Sequence, residues 1–85
     1  MKLRAIPIVT KHINQWDPLG LLAIGAPDDE YKPEIEEIAI FFVDNQDLVT
    51  IAEDIQKTFD DITPQRLSFE ACLSVTEKVW AELYE

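Results

Sequence analysis

Cysteine and histidine each occur once in this 85-residue sequence, glycine occurs twice, and seven bases stand against 17 acids. Each scarcity removes a class of chemistry. A lone Cys72 forms no intrachain disulfide and builds no cysteine-rich metal site. With His12 as the single histidine, any imidazole ligand or His-paired nucleophile rests on that one side chain. No stretch reaches the roughly 18 apolar residues of a membrane span. Met1 to Val9 carries bases but only a short apolar run, interrupted by Pro7 and followed by Lys11 and His12, a poor secretory signal. These absences predict a soluble cytoplasmic protein with no membrane partner.

The shortage of bases is the strongest compositional feature, giving a formal net charge of -10. Such a surface repels phosphate backbones, which proteins hold with clustered Lys and Arg, so nucleic acid is excluded as a partner. The bases are unevenly placed: Lys2, Arg4 and Lys11 precede every acid, leaving four of the seven for residues 17–85, which carry all 17 acids. An acidic body attracts a basic protein and speeds its encounter at low salt. Surplus charge also keeps a small protein soluble without any partner, and both readings fit the composition.

With 47% hydrophobic and 28% charged residues, the chain lies in the ordinary globular range, long enough for one modest core. Residues 1–85 are therefore expected to form a single helical domain. Ile6, Val9, Ile13 and Trp16 lie at helical offsets and predict a first helix over about Ala5 to Gln15, with Pro7 in its first turn and His12 at the border of the stripe. Asp17-Pro18 ends it, because a residue before proline is driven out of the α region.

A second helix is predicted from Pro33, with Glu34, Glu36 and Glu37 near its positive end and Ile35, Ile38 and Phe42 on one face. Ala39, Ile40, Phe41 and Val43 spread apolar character around it, marking the most buried element. Ile38 to Val43 also reads as a strand, since short apolar runs are ambiguous by period. Asp44 and Asn45 supply turn and cap chemistry for a third helix over about Gln46 to Phe59, with Leu48, Ile51, Ala52, Ile55 and Phe59 inward. Ser68 caps a last helix, Phe69 to about Leu83, whose face is Phe69, Cys72, Leu73, Thr76, Val79, Trp80 and Leu83. The fold class is all-α: a small bundle of about four short helices, with a long ordered loop between the first two.

That loop, within Trp16 to Tyr31, holds both glycines and four large apolar side chains, Leu19, Leu21, Leu22 and Ile24. They either tuck under the helices or face a partner, and two copies pairing through such a loop would also cover them. Gly20 and Gly25 have the spacing of a phosphate-binding loop, but Ala26 and Pro27 stand where it needs Lys and Ser or Thr. Counted from Asp28, a calcium loop fails at its fifth, sixth and twelfth positions, occupied by Lys32, Pro33 and Ala39. Asp28, Asp29, Glu30 and Glu34 suggest a looser cation site, but acids near a helix start need no cation to explain them. His12, Asp17 and Cys72 have no spacing that joins them, and Cys72 on an apolar stripe reads as a core residue. No catalytic residue, cofactor site or metal site is assigned.

What the loop offers is a surface for another protein. Trp16 and Tyr31 combine apolar area with a polar handle, the type that anchors interfaces. Asp17, Asp28, Asp29, Glu30, Glu34 and Glu37 supply carboxylates beside them. In the alternative reading Trp16 plugs the core under its own loop, and Asp17 accepts hydrogen bonds from loop N–H groups.

The stretches I-N-Q-W-D-P-L-G-L-L, residues 13–22, and A-P-D-D-E-Y-K-P-E-I, residues 26–35, are followed by a short acidic helical pair and by Cys72 on the last helix. In these features the chain resembles the YugE-like family of small bacterial proteins, a domain of unknown function. That resemblance covers nearly the whole chain and implies a compact helical domain. The central W-D-P-L-G and D-E-Y signature is also similar to that of small immunity proteins that neutralise bacterial toxins. It implies a basic, nuclease-type toxin as partner, drawn by the acids at 28 to 30, 34, 36 and 37.

Overall fold

Four runs of three- and four-residue apolar spacing fold into four α-helices: α1 (Lys2–Trp16), α2 (Lys32–Asp44), α3 (Leu48–Asp60) and α4 (Phe69–Tyr84). The computed structural model describes residues 2–44, 47–64 and 66–84, and among these there is no strand, so Ile38 to Val43 is helical. Helix α1 packs on α2 and α4, and α3 closes the ring by packing on the same two. The radius of gyration is 11.8 Å, against about 12 Å expected for a globule of this length. No described helix is long and apolar enough to cross a membrane.

The inward faces follow the apolar periods with shifts of register. Helix α1 starts three residues before Ala5, so Pro7 lies beyond the first turn and one helical hydrogen bond is lost there. Ala5, Val9 and Ile13 form its fully buried stripe, with Ile6 and Trp16 packed at the margin of the core. Helix α2 buries Ile35, Ile38, Ala39 and Phe42, while Ile40 and Val43 point outward. It is not the most buried element: α3 and α4 each bury five residues against its four. Apolar side chains all around a cylinder mark a buried helix only where neighbours surround it, and α2, like every helix of this ring, has its main packing against only two.

The caps explain where α3 and α4 begin. Asp44 is the last residue of α2 rather than a cap for α3, and Asn45 and Gln46 lie outside the described residues. The N-cap is Asp47, in extended conformation, whose carboxylate accepts the Val49 N–H at 3.1 Å and the Thr50 hydroxyl at 2.8 Å. Ser68 caps α4 by accepting the Ala71 N–H on Oγ at 2.9 Å. Between these helices, Gln56 Nε2 donates to the Leu67 carbonyl at 2.7 Å and Asp60 Oδ1 accepts the Leu67 N–H at 3.2 Å, pinning the connection to α3.

Two threonines are buried among the apolar side chains, and both satisfy their hydroxyls locally. Thr58 and Thr76 donate to the carbonyls of Asp54 and Cys72, one turn back, at 2.9 and 2.7 Å. Cys72 is fully buried, and burial, with the negative charge of Asp60 adding to it, pushes its thiol up to about 11. It is a protonated core residue without thiolate reactivity.

Candidate functional site

The chain leaves α1 at Asp17, whose N–H donates to the Ile13 carbonyl at 2.8 Å and whose φ of 49° lies in the left-handed region. Such a conformation costs an ordinary residue about 1–2 kcal/mol, and aspartate tolerates it because its short side chain bonds locally. Here Oδ1 accepts the Tyr31 hydroxyl at 2.5 Å and the Leu22 N–H at 3.1 Å, while Oδ2 accepts the Ala23 N–H at 3.0 Å. The Tyr31 oxygen accepts the N–H groups of Leu19 at 3.2 Å and Leu21 at 3.4 Å. Two side chains fourteen residues apart thus engage four backbone N–H groups of the loop.

Apolar packing seats this knot. Trp16 and Tyr31 set their rings edge-on to Phe59 of α3, with centroids at 6.1 and 5.9 Å. Leu19, Leu21 and Leu22 pack against the core, whereas Ile24 is 81% exposed. The loop therefore divides its four large apolar residues three inward and one outward. Gly25 turns the chain after Ile24 at φ 103°, where a side chain would be strained although nothing crowds it.

Electrostatics follows these contacts. The Tyr31 hydroxyl bond holds the Asp17 carboxyl below its ordinary range, and the Leu22 and Ala23 N–H groups add to this against an opposing contribution from burial. Burial, then the bond to the Asp17 carboxylate, pushes the Tyr31 phenol up. The pair is carboxylate and neutral phenol at neutral pH.

Tyr31 is fully buried, which places it in the interior and removes it from the side chains a partner can touch. Trp16 and Asp17 are partly buried and engaged within the chain. Asp28, Asp29 and Glu30 are exposed in a turn, Glu34 is half-buried and Glu37 exposed. Helix α2 divides these carboxylates. Asp28 and Asp29 border a groove between α1 and α2 together with Glu36. Glu37 lies beside a hollow between α2 and α3 with Asp54, Lys57 and Asp61. Glu34 is pushed above its ordinary range by burial and by the charges of Glu30 and Glu37. The cation-site candidates Asp28, Asp29, Glu30 and Glu34 do not converge: among the described residues no three His, Cys, Asp or Glu side chains are placed to hold a metal ion.

The family model for a domain of unknown function, DUF1871, matches residues 8–81. The chain belongs to this family. No curated protein and no solved structure matches it. The match spans the whole Asp17–Tyr31 knot and most of each of the four helices.

Sequence reasoning missed the clasp at the opposite edge of α1. Glu82 of α4 accepts Lys11 Nζ at 2.5 Å and faces His12 Nε2 at 2.8 Å, and its main-chain carbonyl accepts Arg4 at 3.3 Å. Lys11 and then His12 hold the Glu82 carboxyl below its ordinary range. His12 is thus a structural residue at the stripe border, joined neither to Asp17 nor to Cys72. Its partner lies seventy positions away, where no local pattern points to it. The contacts of Glu82 with Lys11 and His12 are the only ones of salt-bridge length between acidic and basic side chains among the described residues. Every acid from Asp28 to Glu37 is without such a contact among these residues.

Proposed function

We propose that this DUF1871 chain is a non-catalytic cytoplasmic binding module that recognises a basic protein through the acids flanking the start of α2. One observation carries the reading: Asp28, Asp29, Glu30, Glu34, Glu36 and Glu37 stand within ten residues of one another, and none has a salt-bridging base among the described residues. An uncompensated field of one sign steers and selects a partner of the opposite sign. Nucleic acid and anionic membranes carry the wrong charge for such a surface. A basic toxin neutralised by an immunity protein has the right one, and the -10 charge of the chain favours it as a second reading.

The test is capture from the native host with the tagged chain across a salt series. Basic proteins should be retained at about 50 mM salt and released by a few hundred millimolar, where the screening length falls below 10 Å. Capture that ignores salt, or that returns acidic proteins, refutes the reading. A captured basic protein whose toxicity the chain abolishes would decide for the immunity role.

A further inference from the structure

The α1–α2 groove has a construction that the other hollows lack. Its volume is about 440 Å³, room for one or two large side chains, and Ile6 and Ile35 form an apolar floor. Thr10 on its wall presents no free donor, since its hydroxyl is tied to the Ile6 carbonyl at 2.7 Å. Asn14 donates through Nδ2 to the Asp28 carbonyl at 3.2 Å, which fixes the amide orientation and leaves its buried Oδ1 without a hydrogen-bond donor. Asp28 and Asp29 on the loop and Glu36 on α2 rim the opening, with Lys32 the one base among the lining residues.

An apolar floor under an acidic rim is complementary to one kind of ligand. We propose that this groove docks a basic amphipathic segment of a partner protein, seating an aliphatic side chain on Ile6 and Ile35 and placing flanking Lys or Arg against Asp28, Asp29 and Glu36. The inference rests on the reading of the chain as a module for basic proteins and locates that recognition on one side of α2. Charge complementarity selects the occupant. A second copy of this chain brings an overall negative charge to an acidic rim and is disfavoured there. Lys32 works against the same cations, so its removal should strengthen binding.

The probe is a fluorescent helical peptide of about twelve residues, with leucines on one face at helical spacing and arginines elsewhere. Anisotropy reports its binding to the full chain at low salt. Two versions serve as controls, one with leucines replaced by serine and one with arginines replaced by glutamate. Replacing Asp28, Asp29 and Glu36 by their amides should weaken binding about tenfold, as rim charges do, and the amides of Glu30, Glu34 and Glu37 should change it about threefold or less. These rim substitutions leave the core intact, and circular dichroism checks that each variant is folded. The serine peptide should also bind about tenfold more weakly, since the floor then receives no apolar anchor. Amide shifts on titration should centre on residues 6, 10, 14 and 35.

Equal losses from both amide sets, with no effect of removing the leucines, overturn the groove while leaving a diffuse acidic surface in place. Failure of every cationic peptide to bind, with or without leucines, overturns both the groove and the wider reading. Sedimentation showing a dimer that protects residues 6, 10 and 14 assigns the groove to a second copy and also overturns the proposal.

Discussion

Asp17 and Asp28 lie eleven positions apart on the same loop, and their surroundings differ more than their sequence contexts suggest. Asp17 is encircled by donors: a tyrosine hydroxyl and two backbone N–H groups. Asp28 contributes its main-chain carbonyl to Asn14 but pairs its carboxylate with no base among the described residues. The difference shows that a carboxylate's role is set by the donors the fold aims at it. Inner acid and outer acids should separate cleanly when each is removed.

The largest effect should come from the centre of the knot. Tyr31→Ala deletes a fully buried ring against Phe59 and strips Asp17 of its strongest donor, and core aromatic truncations cost about 3–5 kcal/mol. For a chain of this size that is a large part of total stability, so thermal unfolding should shift by well over ten degrees or the native state should be lost. Tyr31→Phe keeps the ring and isolates the hydroxyl. It leaves the Leu19 and Leu21 N–H groups without an acceptor, an expected loss of about 1–3 kcal/mol by denaturant titration. A neutral result would mean that water replaces the phenol and that the knot is ordered by packing alone.

Asp17→Ala comes next. It removes the acceptor for Tyr31, Leu22 and Ala23 and puts a residue poorly suited to φ 49° at the end of α1. The melting temperature should fall by more than for any substitution at Asp28, Asp29 or Glu30. Asp17→Gly should recover part of the loss, because glycine accepts the backbone angle but not the hydrogen bonds. If glycine and alanine are equal, strain has no share in the effect.

The comparison also has a pH form, in which two acids should have opposite signs. The folded Asp17 carboxyl is more acidic than the unfolded one, so its stabilisation is complete above the unfolded pKa and is lost as pH falls through the folded value, below about pH 4. Glu34 is raised, so its contribution is present below the unfolded pKa, about 4.3, and is lost as pH rises through the folded value. Glu34→Gln should therefore stabilise slightly at pH 7 and not at pH 3. Asp17→Asn should flatten the loss of stability on acidification. Unfolding curves at pH 3 and 7 for the three proteins check both signs, and a Glu34→Gln variant less stable at pH 7 would contradict the burial and repulsion assigned to that side chain.

How much of this was legible in the sequence divides along the same line. Apolar spacing located all four helices, and Asp17-Pro18 and Ser68 marked a true end and a true cap. The loop reading in which Asp17 accepts N–H groups under a packed Trp16 matches the observed contacts. Tyr31 was harder, because a tyrosine beside three acids looks like a surface residue until Phe59, twenty-eight positions on, covers its ring. The cap at Asp47 competed with Asp44 and Asn45, and nothing local says that α2 absorbs Asp44. The split of the acids follows from their positions on α2: Glu36 and Glu37 are adjacent, hence about 100° apart around the helix, and border different grooves. Which face meets α1 and which meets α3 is a tertiary fact.

The smallest expected effect is on the rim, and it is the most informative about function. Asp28→Asn and Asp29→Asn remove exposed charges that make no salt bridge among the described residues, so each should leave the melting temperature at the level of an ordinary surface substitution. Relief of repulsion in a chain of net charge -10 would, if anything, raise it at low salt. A drop of several degrees would mean that the rim acids help to hold the loop, and the contrast with Asp17 would collapse. An unchanged melting temperature joined to weaker capture of a basic partner would separate the two halves of the loop by what each carboxylate faces, Asp17 toward its own backbone and Asp28 toward another molecule.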